Sequence, residues 1–167
     1  MAETKQMGQM STSVQARGRY FEELVVGDVV ESPGRTITEA DVVLFAGLSG
    51  DYNPLHTDAE YAQTTIFGER IAHGLLGLSA ASGLAWRTGL VEGTAEALIG
   101  VECKFRGPIL IGDTIRLRVQ VSQKREMQRL GGGFVILSAT LLNQRDEVVQ
   151  KGTWTVLIRS QPAEKEA

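Results

Sequence analysis

The sequence predicts an α+β domain in which one long central helix is wrapped by a single curved antiparallel sheet. Three observations lead there. Helical signals crowd the first part of the chain, up to about Leu90. Residues 71–86, IAHGLLGLSAASGLAW, hold no charged side chain when His73 is neutral, and a helix apolar on every side has to be covered by something. Four stretches then follow with the period of two that marks strands with one apolar and one polar face. Helices first and strands afterwards describe α+β rather than alternating α/β.

Each element has its own signal. Residues 1–19, MAETKQMGQMSTSVQARGR, offer few large apolar side chains and no run that a signal or transit peptide would use; they read as a mobile arm. Thr38 followed by Asp41 is a capping-box variant, which predicts a short helix with Val42, Phe45 and Ala46 inward. Asp58 is placed to cap another short helix through Ala59, Tyr61 and Ala62.

The apolar stretch 71–86 falls short of the roughly 20 residues a membrane span needs, and Arg70 and Arg87 bracket it. It is therefore expected as the buried central helix. Its small residues Ala80, Ala81, Gly83 and Ala85 would let other backbone come close or leave room for a tunnel.

The strand signals come next. Val101, Cys103 and Phe105 alternate with Glu102, Lys104 and Arg106; Ile115, Leu117, Val119 and Val121 alternate with Arg116, Arg118, Gln120 and Ser122. FVILSATLL and GTWTVLIR repeat the pattern. Pro108, Gly112-Asp113, Gly131–Gly133 and Asn143–Asp146 supply the turns. The triple glycine lacks the strand–loop–helix setting and the Lys-Ser/Thr of a phosphate loop, so it reads as a hairpin turn. The folded domain is expected over residues 20–159, with a solvated tail at 160–167. A long apolar helix clasped by one curved sheet is the hot-dog arrangement.

Bulk properties exclude several functions. The chain has 167 residues, 43% hydrophobic and 22% charged, enough for one domain with a real core. A net charge of −3 is not the basic footprint expected of a nucleic-acid binder. The one cysteine, Cys103, leaves no internal disulfide and fits a cytoplasmic protein. One thiol and two histidines are too few for a metal site, and no membrane role is expected.

One short stretch asks for more than a fold. Residues 48–58, LSGDYNPLHTD, gather Asp51, Asn53, Pro54 and His56. A loop accounts for the first three, because Asp and Asn bond their own backbone and proline stiffens a turn. The histidine is left over. An aspartate and a histidine across a stiff turn can share one pocket, where carboxylate and imidazole hold and activate a water. Gly74 falls where the long helix should begin, and unpaired N–H groups at a helix start suit an oxygen that gains negative charge. Together they fit addition of water at the β-carbon of an unsaturated thioester, and equally thioester hydrolysis.

Phe45, the run Leu48-Ser49-Gly50-Asp51-Tyr52-Asn53-Pro54-Leu55-His56 and Ala62 resemble the hydratase-2 motif of MaoC-like dehydratases and (R)-specific enoyl-CoA hydratases. His73-Gly74 with its small-residue helix and VECKFRGPILIGDTI, residues 101–115, are similar to that family as well. The resemblance implies a single hot dog that dimerises edge to edge, or assembles further, with the site at the interface. It implies Asp51 and His56 as the catalytic pair, the Gly74 amide as oxyanion donor, Asn53 holding the loop and Ser82 lining the site. The implied reaction is reversible syn hydration of trans-2-enoyl-CoA to (R)-3-hydroxyacyl-CoA. It needs no metal or redox cofactor, since CoA enters with the substrate. Asp51 as base and His56 as donor is the favoured order, although sequence leaves it open.

Two other readings compete: a hot-dog acyl-CoA thioesterase, and a non-catalytic subunit that binds acyl thioesters. The intact Asp51–His56 spacing favours the hydratase over both. Cys103, Trp86 and Trp154 are expected as packing or interface residues. His73 is expected to shape the turn into the helix, and Lys104, Arg106, Arg116 and Arg118 to lie on a solvated sheet face.

Overall fold

The computed structural model describes residues 17–162. Most of the predicted arm, and the tail from residue 163, lie outside the described residues. Within them the folded body starts slightly earlier than expected. Gly18 N–H donates to Glu92 O at 2.7 Å and Arg19 N–H to Leu90 O at 2.9 Å. Ser160 and Gln161 are likewise bonded, to Gly131 O and Glu22.

Two short strands that the sequence patterns did not predict come first: β1 (Val29–Glu31) and β2 (Arg35–Thr36). At three and two residues they are too short for an alternation to register, and both are held by pairing with the later strand β4 (Thr114–Met127). Helix α1 (Glu39–Ser49) starts as predicted. Thr38 and Asp41 form the reciprocal capping box, and Val42 and Ala46 are buried. One-turn α2 (Pro54–Thr57) and short α3 (Ala59–Gln63) follow, with Asp58 accepting from the Tyr61 N–H at 3.0 Å.

Helix α4 (Gly74–Arg87) lies against the sheet and buries Leu76, Gly77, Ala80, Ala81 and Leu84. It is not wrapped on all sides as expected. Leu75, Ser79, Ser82 and Gly83 face out, and Trp86 is 62% exposed. A single sheet covers one side of a helix; the small and apolar outer side is left uncovered among the described residues.

The sheet consists of β3 (Ala95–Phe105), β4 (Thr114–Met127), β5 (Gly132–Leu142) and β6 (Val148–Arg159) with the two short strands, all antiparallel, in the order β1-β4-β5-β6-β3. The predicted alternation holds in the central strands. Ile115, Leu117, Val119 and Val121 of β4 meet Val135, Leu137, Ala139 and Leu141 of β5 and Trp154, Val156 and Ile158 of β6 in one core with α4. Each large apolar side chain so buried contributes about 1.5–3 kcal/mol. The hot-dog arrangement is thus present, with the helix on one face of a curved sheet.

Strand β3 departs from the prediction. It begins at Ala95, and its apolar register is not buried: Val101 is 40% exposed, Leu98 58% and Phe105 55%. Among the described residues it is an edge strand, paired with β6 alone. Cys103 is accordingly half-buried rather than a core residue. The triple glycine also differs from the predicted turn. Only Gly131 sits in the turn, at φ 63°. Gly132 and Gly133 belong to β5, where a Cβ would strike Ile158 O and the Phe21 ring.

Candidate active site

The site assembles at the start of α4. The loop after α1 is short and tightly tied. Gly50 closes the helix in the left-handed region at φ 75°, and Asp51 N–H donates to Ser49 Oγ at 3.2 Å. Asp51 Oδ1 accepts from the Asn53 N–H at 3.2 Å, and Asn53 Oδ1 accepts from the Leu55 N–H at 3.0 Å. Asn53 is the N-cap of α2 and Pro54 occupies the first helical position, where its missing N–H does no harm. The motif's Asp, Asn and Pro therefore build a turn, and the turn delivers His56 one helical step later.

His56 is buried, and its Nδ1 lies 2.8 Å from Ile71 O. A carbonyl only accepts, so Nδ1 carries the hydrogen and a neutral His56 presents a bare lone pair at Nε2. One Asp51 oxygen and one ring nitrogen from each of His56 and His73 lie within 4.8 Å of one another. The histidine rings stack with centroids 3.8 Å apart and 31° between planes. The spacing of the three groups is one that could hold a metal ion, but His73 Nε2 already faces the Asp51 backbone oxygen at 2.9 Å and His56 Nδ1 the Ile71 oxygen at 2.8 Å.

Gly74 is the first residue of α4, as predicted, and His73 before it makes no side-chain cap. Ser, Thr, Asp or Asn at that position would satisfy the first N–H groups; histidine leaves them open, with the helix dipole behind them. The Phe105 ring packs over Gly74 so closely that a Cβ there would come within 2.8 Å of it. Gln150, buried on β6, donates from Nε2 to Gly74 O at 2.8 Å and holds the first turn from below.

These groups line one cavity of about 700 Å³. Asp51, His56, His73 and Gly74 stand at its polar end, and Phe45, Phe67, Ile71, Leu75, Phe105 and Ile109 give it apolar walls. Asp51, His56 and Gly74 are therefore brought together. Asn53 is beside them in the turn. Ser82 is not: it sits on the exposed side of α4, outside the cavity lining, and donates to Ser79 O at 2.7 Å.

Three lining residues escaped the sequence reading. Gln150 was hidden in a strand pattern, although a buried glutamine opposite a glycine-started helix is the kind of polar group that needs a partner. Arg106 was grouped with Arg116 and Arg118, yet only Arg106 lines the cavity. Arg116 and Arg118 are bound to Glu31, with Arg116 also on Asp146. His73 proves buried and in contact with both predicted catalytic residues.

Comparison with known proteins gives the family. A MaoC like domain model matches residues 21–139. The chain is 41% identical over 103 residues to an (R)-specific enoyl-CoA hydratase of Rhodospirillum rubrum, covering 62% of this chain and 69% of that one. It is 34% identical over 151 residues to a 3-hydroxybutyryl-CoA dehydratase of Methylorubrum extorquens, covering 89% and 87%. With protein MaoC of Klebsiella aerogenes it shares 44% over 107 residues, 64% of this chain but only 31% of that much longer protein. The solved MaoC-like dehydratase of Rhodospirillum rubrum superposes with a TM-score of 0.80 at 29% identity, over 87% of this chain and 99% of that one. The domain match covers more than half of the chain, and the Methylorubrum relative is matched over nearly its whole length: the chain belongs to the MaoC-like dehydratase family.

Proposed function

We propose that this protein is an (R)-specific enoyl-CoA hydratase that adds water reversibly and syn across trans-2-enoyl-CoA to give (R)-3-hydroxyacyl-CoA. One observation carries the reading: Asp51 and a lone-pair-bearing His56 share the polar end of an apolar cavity with the uncapped start of α4. The relatives named as hydratases and dehydratases support it, and none of them favours the thioesterase or the non-catalytic binder.

The chemistry follows from the hydrogen bonds. A water between Asp51 and His56 Nε2 donates one O–H to each. Its oxygen bonds C3 while His56 takes the proton, and the resulting imidazolium returns that proton to C2 on the same face. Asp51 orients the water and stabilises the imidazolium. The thioester oxygen gains charge as the enolate forms, and the Gly74 N–H meets it. This order reverses the one favoured from sequence, because the Ile71 carbonyl holds the His56 hydrogen on Nδ1. No metal or redox cofactor enters the scheme.

The substrate is an acyl-CoA thioester, and Arg106 in the cavity lining supplies a cation. Among the described residues β3 has a free edge and α4 a bare outer side, and both support a homodimer formed through β3. No helix among the described residues is long and apolar enough to cross a membrane; a cytoplasmic setting fits the lone cysteine.

The test is the loss of conjugated enoyl-thioester absorbance with crotonyl-CoA, followed by chiral analysis of the product. Wild type is expected to give (R)-3-hydroxybutyryl-CoA. Asp51→Asn and His56→Gln are each expected to lower kcat by about 10²–10⁴-fold with little change in KM. Free CoA released from saturated acyl-CoAs, with no hydration of crotonyl-CoA or longer enoyl-CoAs, would overturn the reading in favour of the thioesterase.

A further inference from the structure

We infer that His73 is a positioning residue that sets Asp51, His56 and the Gly74 amide at their working distances through its Nε2–H. The inference rests on the hydratase reading of the same site. His73 touches all three groups. It is covalently joined to Gly74, its ring stacks 3.8 Å from that of His56, and its Nε2–H donates to Asp51 O at 2.9 Å. Phe45 of α1 packs against the same ring with centroids 5.1 Å apart.

The loop needs such a tie. Gly50, immediately before Asp51, has the left-handed conformation and the backbone freedom that goes with glycine. The side-chain bonds of Ser49, Asp51, Asn53 and Thr57 are local and shape the turn itself. His56 Nδ1 reaches Ile71 O, just ahead of α4, but that bond does not involve Asp51. The bond from His73 reaches across 22 positions and ties the Asp51 backbone to the N-cap residue of α4.

His73 is a poor choice for any role except this one. It forgoes the N-cap, where smaller polar residues do better. Its Nδ1 is buried without a partner among the described residues, and an unpaired buried nitrogen is destabilising. A plain aromatic ring would fill the same space without that penalty. What histidine adds over such a ring is the Nε2–H aimed at Asp51 O. Geometry at this precision matters because reacting groups misplaced by about 1 Å can lose about 10² in rate.

The experiment compares full-length His73→Phe and His73→Gln with wild type and Asp51→Asn, measuring kcat and KM for crotonyl-CoA hydration and thermal melting. Phe keeps the ring and its stacking but has no donor; Gln keeps a donor at similar reach without the ring. His73→Phe is expected to melt within about 4 °C of wild type while losing about 10² in kcat, with KM changed less than about threefold. His73→Gln is expected to recover kcat to within about tenfold of wild type. Wild-type turnover in His73→Phe, with Asp51→Asn inactive, overturns this inference alone. Parallel loss of melting temperature and activity in both His73 variants also overturns it, in favour of a packing role. An inactive wild type overturns the functional reading and this inference with it.

Discussion

At the scale of single residues, one backbone carbonyl decides what His56 can do. The Ile71 oxygen fixes the hydrogen on Nδ1 and leaves Nε2 as the acceptor a water needs. Gly77 shows the same dependence on a neighbour, this time through space. Its Cβ position lies against Gln150 Nε2 and 2.6 Å from Ile109 Cδ1, and Gln150 is itself held by Gly74 O. Gly77→Ala is therefore expected to destabilise the protein by about 1–3 kcal/mol in denaturant unfolding. It should also lower kcat, because Gln150 cannot yield without releasing the first turn of α4. A stable, fully active Gly77→Ala would show that this packing is looser than the distances say. Cys103 is less reactive than an ordinary thiol, since burial pushes its pKa up.

At the scale of elements, α1 depends on a charged cap. Burial pushes the Asp41 carboxyl upward, but hydrogen bonds from the Thr38 N–H and hydroxyl, with Arg35 at 2.6 Å, outweigh it and hold the carboxyl below the ordinary aspartate value. A carboxyl depressed in the folded state stabilises the protein above its unfolded pKa, and that stability is lost as pH falls through the folded pKa. Asp41→Asn is expected to cost roughly 1 kcal/mol near neutral pH, and its gap from wild type should close as pH drops below about 4. Melting curves across that range check the sign. Helix α1 was legible in sequence because its cap, its length and its inward residues all agree within one short segment. Strands β1 and β2 were not, because two or three residues carry no period and their partner β4 lies far along the chain, as in the pairings of Val30 with Val119 and Arg35 with Ile115.

At the scale of the whole molecule, the exposed apolar surface is the unfinished part. A long edge strand with free N–H and C=O groups is a template for another strand, and β3 offers Leu98, Ile99, Val101 and Phe105 along it. The double variant Ile99→Lys/Val101→Lys is expected to sediment as a monomer where wild type sediments as a dimer or larger assembly. Because Phe105 of β3 packs on Gly74, activity should fall with assembly. A monomeric wild type of full activity would rule out the edge-to-edge dimer as a requirement.

By itself the sequence determined the fold class, the central strands and the motif from Asp51 to His56. Those depend on short-range chemistry: capping pairs, alternation over a buried face, and a stiff turn. Gly74 was legible for the same reason, since a helix start is a local event. Tertiary structure decided the rest. It placed the apolar register of β3 on an edge, turned Ser82 away from its own cavity, and brought Gln150 beneath a helix 76 positions earlier in the chain. It also made His73 the link between Asp51 and Gly74. A spacing in sequence says which groups are close along the backbone; only the packing of α4 on the sheet says which carbonyl each ring nitrogen meets, and that contact sets the chemistry.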